Sequence, residues 1–282
     1  MRILLTGADG FTGRHFQAAA TAAGHEVLPL RSNLTDRAGL HAELQASTAQ
    51  AVVHLAAISF VGHADDAAFY AVNTVGTAHL LAALAAAPRK PDAVLIASSA
   101  NIYGNCEASP IAETQAPAPV NHYANSKLAM EYTARTYLDR LPIAIARPFN
   151  YTGPGQGVSF LIPKMVDHFK RGARQIELGN LHVEREFNDV RMVCQAYLRL
   201  LEHGQSGETY NVCTGQTYTL EAVMQVLRRL TGQSMDVQVN PAFVRASEVH
   251  RLCGDPRKLR ASIGPVQPFA LQDTLQWMLA ST

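Results

Sequence analysis

The run TGADGFTG, Thr6 to Gly13, constrains the fold of this chain more than any other feature of the sequence. It follows a short apolar run and opens a segment with helical periodicity, so it joins a strand to a helix through a glycine-rich turn. In such a unit Gly7 permits the tight turn, Gly10 lets the backbone approach a pyrophosphate, and Gly13 allows close packing of the helix on the strand. The N–H groups at the helix N-terminus then bind phosphate oxygens. The run therefore predicts a dinucleotide-binding site.

Short β-rich runs alternate with helical patterns and predict parallel strands joined by crossover helices. The predicted strands cover 2–6, 26–30, 51–55, 94–98, 143–147 and 208–212. After Arg147 the sequence changes to RPFNYTGPGQG, which indicates a loop that leaves the sheet. We therefore expect an α/β fold, a Rossmann-type doubly wound parallel sheet with a smaller C-terminal substrate-binding lobe. The core would comprise 1–150 plus 187–215, and the lobe 151–186 plus 216–282.

Length, charge and cysteine usage limit the class of function. The chain has 282 residues, enough for one large α/β core with an appended lobe, and its net charge of +1 gives no reason to expect a nucleic-acid or membrane partner. The first residues run straight into a strand, which leaves no room for a signal peptide, and the Ala-rich stretch 80–87 is too short to span a membrane. The cysteines are Cys106, Cys194, Cys213 and Cys253. Because they lack metal-ligand spacing, we expect reduced thiols, no metal site and a cytoplasmic location.

A proton-transfer set lies downstream of the glycine run. Tyr123 and Lys127 are one helical turn apart and share a helix face, and Ser99 follows the strand predicted over 94–98. A free tyrosine has a pKa of about 10, and a nearby ammonium favours its phenolate form. Tyr123 is then the general acid towards an alkoxide that forms on the substrate, or the base in reverse, while Ser99 hydrogen-bonds the same oxygen. We predict that Ser99, Tyr123 and Lys127 are catalytic in a redox enzyme that acts on a carbonyl or carbinol.

With these residues the chain resembles the extended short-chain dehydrogenase/reductase family along essentially its whole length. The matching motifs are TGADGFTG, HLAAIS (54–59), Asn73 in NTVGT, SSANIYG (98–104), YANSK (123–127) and RPFN (147–150). The resemblance implies a nicotinamide cofactor, a nucleotide-sugar substrate and a homodimer with a four-helix interface. Each subunit would contribute the helix that contains 69–87 and the helix that bears Tyr123.

The resemblance also implies which residues contact the cofactor. They are Gly7, Asp9, Gly10, Phe11, Thr12, Gly13, Asn33, Leu34, Leu55, Ala56, Ala57, Asn73, Tyr123 and Lys127. The choice between NAD and NADP depends on the end of the second strand, where an acid binds the 2′-hydroxyl of NAD and repels the phosphate of NADP. This chain has Leu30-Arg31-Ser32 and no carboxylate until Asp36, so NADP(H) is favoured and NAD(H) is the alternative. Arg31 would meet the 2′-phosphate; otherwise it is a solvated surface residue.

Within the family, RPFNYTGPGQ, LGNLHVEREFNDVR (178–191) and GDPRKL (254–259) look most like the GDP-4-keto-6-deoxy-D-mannose 4-reductases, which make GDP-D-rhamnose or GDP-6-deoxy-D-talose. This resemblance implies substrate contacts from Ser59, Ser99, Asn101, Asn150, Lys164, Asn180, Arg185, Arg245 and Glu248. A bidentate guanidinium suits a pyrophosphate, and Glu248 would bind the nucleoside ribose. Lys164 is equally interpretable as part of a solvated helix face. The chain departs from the family pattern at Glu186, Ala246 and Arg257, where Asp, Pro and Ser or Thr are usual.

The two residues after Ser99 narrow the reaction. Related 4,6-dehydratases carry acids at these positions, whereas this chain has Ala100 and Asn101, which do not exchange protons. The 3,5-epimerising relatives need a cysteine beside the hydroxyl, and Cys106 is too far along the chain to match it. Hydride transfer at a keto group remains, or a C4 epimerase that retains its cofactor. A third alternative, a redox sensor that binds NADP(H) without turnover, would not need the three catalytic residues together.

Overall fold

The computed structural model describes residues 1–179, 181, 183–243 and 249–281. Its strands are β1 (Arg2–Thr6), β2 (Glu26–Pro29), β3 (Ala51–His54), β4 (Ala93–Ala97), β5 (Ile143–Pro148), β6 (Tyr151–Thr152), β7 (Gln175–Leu178), β8 (Glu184–Arg185), β9 (Asn188–Asp189), β10 (Thr209–Val212), β11 (Tyr218–Thr219), β12 (Asp236–Val239) and β13 (Arg251–Leu252). Its α-helices are α1 (Phe11–Ala22), α2 (Arg37–Gln45), α3 (Asp66–Phe69), α4 (Thr77–Ala86), α5 (His122–Arg135), α6 (Leu161–Lys170), α7 (Val190–His203), α8 (Leu220–Thr231), α9 (Arg257–Ile263) and α10 (Leu271–Ala280).

Six parallel strands form the central sheet, in the order β10-β5-β4-β3-β1-β2. Helices cover both faces: α1 and α7 pack on one side and α2, α4 and α5 on the other. Strands covered on both sides are apolar almost throughout, which explains why β3 and β5 are buried along their entire length. The predicted α/β class and Rossmann-type sheet are confirmed, and each of the six predicted strands agrees with the structure to within one residue at either end.

The order of the strands reverses at β1. From β1 the chain first adds β2 on one side, and then crosses back to add β3, β4, β5 and β10 on the other. Open α/β sheets bind ligands in the crevice at such a reversal, beyond the carboxyl ends of the strands. Gly7, which follows β1, and Leu55, which follows β3, both lie at this edge.

The helix that was predicted to contain 69–87 is present and covers 66–86. The segment α3, a π-helical stretch over Tyr70–Gly76, and α4 form a continuous helix from Asp66 to Ala86. By length and composition alone this 21-residue helix is apolar enough to cross a membrane. It packs against α2 and α5, however, and it buries Leu80, Leu81 and Leu84 in the core. We therefore interpret it as a helix of the protein core.

The remainder of the chain builds a smaller lobe around its own apolar core. Helices α6, α8 and α10 pack together there with the strand pair β7 and β12. A second small sheet places β8 between β11 and β13. Strand β8 carries Arg185, so the lobe presents this guanidinium beside the end of the central sheet.

Candidate active site

A cleft of about 510 Å³ opens between the carboxyl ends of the central strands and the lobe. Many of the residues that the sequence predicted for the site line it. They are Gly7, Gly10, Phe11, Thr12, Gly13, Leu55, Ala56, Ala57, Ser59, Ser99, Asn101, Tyr123, Lys127, Asn150 and Arg185. Residues distant in the sequence therefore meet in one cavity.

The glycine turn fits a dinucleotide. Gly7 has φ of 69°, and a Cβ atom at this position would lie 2.8 Å from the backbone nitrogen of Ala56. At Gly13 a Cβ atom would lie 2.1 Å from the Gly7 carbonyl oxygen, so a side chain would push the helix away from the turn. Helix α1 begins after Gly10, and no side chain in the described part of the chain caps it. Its first N–H groups can therefore donate hydrogen bonds to phosphate oxygens.

The three predicted catalytic side chains meet at the floor of the cleft, where all three are buried. The side chain of Asn121 caps α5 by accepting a hydrogen bond of 2.9 Å from Ala124 N–H, which places Tyr123 in the first helical turn. Ser99 Oγ accepts hydrogen bonds of 3.1 and 3.2 Å from the backbone N–H and the side-chain amide of Asn101. The Ser99 hydroxyl also acts on the pKa of the neighbouring Tyr123 phenol as a hydrogen-bond partner does. Lys127 Nζ donates a 2.8 Å hydrogen bond to the carbonyl oxygen of Ala97, the last residue of β4. Sheet and helix thus fix this set from both sides.

The protonation of Tyr123 differs from the expectation. Burial raises the pKa of Tyr123 above its ordinary value, and the hydrogen bond with Ser99 offsets only part of this effect. The expectation that Lys127 drives Tyr123 towards the phenolate is therefore wrong for this structure, in which the ammonium bonds Ala97 instead. A phenol that keeps its proton at neutral pH is suited to protonate an alkoxide, and so to the reducing direction.

The pKa of Lys127 predicts how cofactor binding changes with pH. Burial lowers it to about 8, although the nearby Glu131 carboxylate acts in the opposite direction. Lys127 is thus charged below about pH 8 and loses its charge as the pH rises further. If the ammonium supports an anionic cofactor, affinity for NADPH should fall roughly threefold to tenfold between pH 7 and pH 9. Calorimetric titration of wild type and Lys127→Met checks this, and an equal pH dependence in the variant would refute the assignment.

Asn73 lies beneath the wall of the cleft and is fully buried. Its Nδ2 donates to the carbonyl oxygen of Ile58 and to the Ser126 hydroxyl, at 3.1 and 3.0 Å, while its Oδ1 accepts from Ile58 N–H. Ser126 in turn donates to the carbonyl oxygen of Tyr123. These contacts occupy the Asn73 side chain, and the predicted contact of Asn73 with the cofactor stays a prediction. Through Ser126, Asn73 positions α5.

Three other predicted cofactor residues lie at the end of β2, outside the lining of the cleft. Arg31 and Asn33 are exposed there, and the Asn33 side chain accepts a hydrogen bond from the backbone of Thr35. Leu34 is buried against Gly76, where an added Cβ atom would lie 2.8 Å from the Leu34 Cβ. Its side chain belongs to the core. The predicted role of Leu34 beside the adenine stays a prediction. The roles of Arg31 and Asn33 stay predictions.

The remaining predicted residues do not line the cleft. Asp9 is exposed, and its carbonyl oxygen accepts a hydrogen bond from Arg14. Lys164 Nζ donates a 2.7 Å hydrogen bond to a carbonyl oxygen of β7, so it holds the lobe together. The predicted contacts of Asp9 with cofactor and of Lys164 with substrate are thus not supported. The predicted substrate residues Asn180, Arg245 and Glu248 lie outside the described residues.

Several aromatic residues of the cleft were not predicted. The Tyr151 hydroxyl is 2.8 Å from Thr12 Oγ1 and so ties the loop after β5 to the glycine turn. Phe60 and Phe160 pack edge to face at 5.7 Å between ring centroids, which connects the loop after β3 to the start of α6. Tyr151 follows Asn150 in a motif that had already been recognised, a signal that could have identified it. No local pattern marks Phe160.

The lining of the cleft contains few ionisable side chains. Among the described lining residues there is no carboxylate, imidazole or thiol, and the charged side chains are Lys127 and Arg185, both cationic. Arg185 is held in place by the carbonyl oxygens of Glu184 and His250. Proton exchange is thus left to Lys127 and the tyrosine hydroxyls, and burial raises the pKa of Tyr151 strongly. The cleft is suited to polyanionic ligands and to proton transfer by Tyr123.

Glu186 departs from the family pattern but serves the structure. It is fully buried and accepts hydrogen bonds from the backbone N–H groups of Gly254 and Thr214, at 2.7 and 2.8 Å, and from the Asn188 amide at 3.0 Å. Arg257 pairs with Asp255 on the surface. Neither side chain lines the cleft, so these two departures leave its chemistry unchanged.

Comparison with known proteins identifies relatives over almost the whole chain. The family model of GDP-mannose 4,6 dehydratase matches residues 29–278. The GDP-6-deoxy-D-talose 4-dehydrogenase of Aggregatibacter actinomycetemcomitans is 35% identical over 274 residues, which cover 94% of this chain and 92% of that protein. The GDP-6-deoxy-D-mannose reductase of Pseudomonas aeruginosa is 35% identical over 294 residues, which cover 99% and 96%.

Solved structures have the same fold over almost the whole chain. The structure of RMD from Pseudomonas aeruginosa complexed with NADPH is 34% identical, with a TM-score of 0.90 over 99% of this chain and 96% of that one. A structure from Burkholderia cenocepacia, provisionally described as an epimerase, is 46% identical, with a TM-score of 0.93 over 99% and 96%.

Proposed function

We propose that this chain, which belongs to the GDP-mannose 4,6-dehydratase family of extended short-chain dehydrogenases/reductases, is an NAD(P)H-dependent 4-ketoreductase of a nucleotide-activated 6-deoxy sugar. The favoured substrate is GDP-4-keto-6-deoxy-D-mannose, and the product is GDP-D-rhamnose or GDP-6-deoxy-D-talose. Both relatives at 35% identity are named for oxidoreduction of a GDP-6-deoxy sugar. NADP(H) is favoured, since Arg31 lies at the end of β2 and the Pseudomonas structure holds NADPH.

One observation carries the proposal. The cleft contains Ser99, Tyr123 and Lys127 but, in its described lining, no other group that exchanges protons readily at neutral pH. Dehydration needs a further acid or base to remove the C5 proton, and Ala100 and Asn101 supply neither. Reduction of a ketone needs only a hydride donor and one proton donor. The reaction of the family's name is therefore not the one we assign.

Each residue of the cleft has a separate role in the proposed reduction. When bound, the nicotinamide supplies the hydride. Ser99 and Tyr123 hold the keto oxygen by hydrogen bonds, and Tyr123 gives its proton to that oxygen as charge develops. Lys127 binds the cofactor ribose, and Arg185 binds the sugar-nucleotide diphosphate. The core, 1–150 plus 187–215, holds the cofactor, and the lobe, 151–186 plus 216–282, holds the sugar nucleotide.

A nucleotide-sugar 4-epimerase is the second candidate, because it needs the same three residues, and the Burkholderia structure is provisionally described as an epimerase. A redox sensor is less well supported, since it has no use for a complete catalytic set. A panel of nucleotide-activated 4-keto sugars, incubated with NADPH and followed at 340 nm, tests the proposal. We expect oxidation of NADPH with the GDP-linked 6-deoxy ketone, and no oxidation with any panel member would contradict it.

We also propose a cytoplasmic homodimer formed by a four-helix interface. Each subunit would contribute the helix 66–86 and α5, which display Val75 and Tyr132 at 47% and 63% exposure. Aromatic side chains in interfaces often contribute most of the binding free energy. Tyr132→Glu should therefore weaken the dimer by roughly 2 kcal/mol or more, as measured by sedimentation equilibrium. Val158→Glu, at an equally exposed site on a loop, is the control. A wild-type protein that is monomeric at micromolar concentration would contradict the interface.

A further inference from the structure

The end of β2 carries a carboxylate that comes from α2. Glu43 Oε1 accepts a 2.9 Å hydrogen bond from Arg31 N–H, and its Oε2 accepts one of 2.8 Å from Ser32 N–H. The Ser32 side chain and the charge of Arg31 also favour the ionised carboxylate and lower the pKa of Glu43. Partial burial raises the pKa of Glu43, but these contacts outweigh it and the pKa is lowered. Glu43 is thus ionised at neutral pH.

These donors form an anion-binding turn that an internal carboxylate already fills. Two adjacent backbone N–H groups converge there, as donors do around a bound phosphate, and Arg31 adds positive charge. In a doubly wound sheet the end of this strand lies beside the adenosine ribose of a dinucleotide. The sequence has no local signal for this contact, because Glu43 lies 12 positions after Arg31 and only the packing of α2 places its carboxylate at the end of β2.

An arginine and an acid at this position have opposite effects on cofactor choice. Arg31 attracts the 2′-phosphate of NADP(H), whereas a carboxylate repels it and tolerates the 2′-hydroxyl of NAD(H). We propose that Glu43 is a specificity-determining residue, which occupies the donors of the Arg31–Ser32 turn and opposes Arg31, so that the protein binds NADH as well as NADPH. This inference rests on the proposed nicotinamide-dependent function.

The test measures binding rather than turnover. Dissociation constants for NADPH and NADH are determined by calorimetry for wild type, Glu43→Gln and Glu43→Asp. Glu43→Gln removes the charge at nearly constant shape and should tighten NADPH binding roughly tenfold, with a change for NADH of less than about twofold. Glu43→Asp retains the charge and withdraws it by one methylene, so it should keep the wild-type preference. Glu26→Gln is the matched control, since Glu26 is exposed at the opposite end of β2.

The ratio of the two dissociation constants decides the outcome. If Glu43→Gln weakens both cofactors in parallel, or shifts the ratio by less than about twofold, Glu43 only shapes the turn and the inference is overturned. The same follows if Glu43→Asp alters the ratio as much as Glu43→Gln does, because loss of geometry and not of charge would then be responsible. A wild-type protein that binds neither cofactor would instead contradict the proposed function, and the inference with it.

Discussion

Replacement of Tyr123 by Phe should lower kcat at least 100-fold and change the dissociation constant of NADPH less than about twofold. The substitution removes one oxygen atom and keeps the ring that packs against Phe69 at 6.0 Å between centroids. The keto oxygen then loses the group that protonates it and one of its two hydrogen-bond donors. Initial rates of NADPH oxidation and calorimetric titration of NADPH measure the two effects separately.

Tyr151→Phe provides a matched control, since Tyr151 is a second tyrosine of the same cleft, with its hydroxyl bonded to Thr12. This variant should keep kcat within about tenfold of wild type, because its hydroxyl supports the glycine turn rather than the reacting oxygen. If Tyr123→Phe retained more than about a tenth of the wild-type rate, Tyr123 would not be the acid. An equal loss in both variants would point to general damage to the cleft.

Replacement of Glu131 by Gln should destabilise the protein by about 3–5 kcal/mol. Glu131 lies on the face of α5 that bears Tyr123 and Lys127, and its carboxylate holds the Arg147 guanidinium through hydrogen bonds of 2.9 and 2.7 Å. Both side chains are almost completely buried, so the substitution leaves a buried cation without its counter-charge. Urea unfolding followed by circular dichroism measures the loss.

The double variant Glu131→Met with Arg147→Met separates charge from packing. A buried ion pair replaced by apolar residues of similar size often costs little, so the double variant should be more stable than Glu131→Gln alone. Glu131→Gln should also lower the pKa of Lys127 below about 8, since Glu131 raises it, and cofactor binding should then weaken at lower pH than in wild type. If the free energy of unfolding of Glu131→Gln lies within about 1 kcal/mol of the wild-type value, the Glu131–Arg147 pair is not important for stability.

The sheet could be predicted because its strands have local signals. Each core strand is a short and largely apolar run between turn residues, because burial on both faces leaves few polar positions. The lobe could not be predicted in the same detail. Strands such as β8 and β13 have two residues each, and they exist because the tertiary fold brings them together. The continuous helix 66–86 agrees with the predicted helix over 69–87 to within three residues at either end, although a π-helical stretch interrupts its usual periodicity.

Site residues could likewise be predicted where the signal is local, and could not where it depends on the tertiary fold. Gly7, Tyr123 and Lys127 were identified because spacing within one turn or one helix carries their chemistry. For Asn73 the motif indicates a position but not the direction in which the side chain points, so its contact with Ser126 could not be predicted. Glu43 was missed because its contact with the end of β2 depends on how α2 packs. Contacts between elements distant in the sequence are the part that local patterns leave open.

The stoichiometry of NADPH oxidation tests the central claim most directly. The protein is incubated in deuterated buffer with GDP-4-keto-6-deoxy-D-mannose and a limiting amount of NADPH, and the product is quantified by chromatography and NMR. If the protein is a reductase, we expect one NADPH to be oxidised for each sugar reduced, and the reaction to stop when the cofactor is exhausted. We expect no enzyme-dependent deuterium at C3 or C5 of the product. Conversion of a GDP-hexose without net oxidation of cofactor, or enzyme-dependent deuterium uptake at C5, would contradict the account.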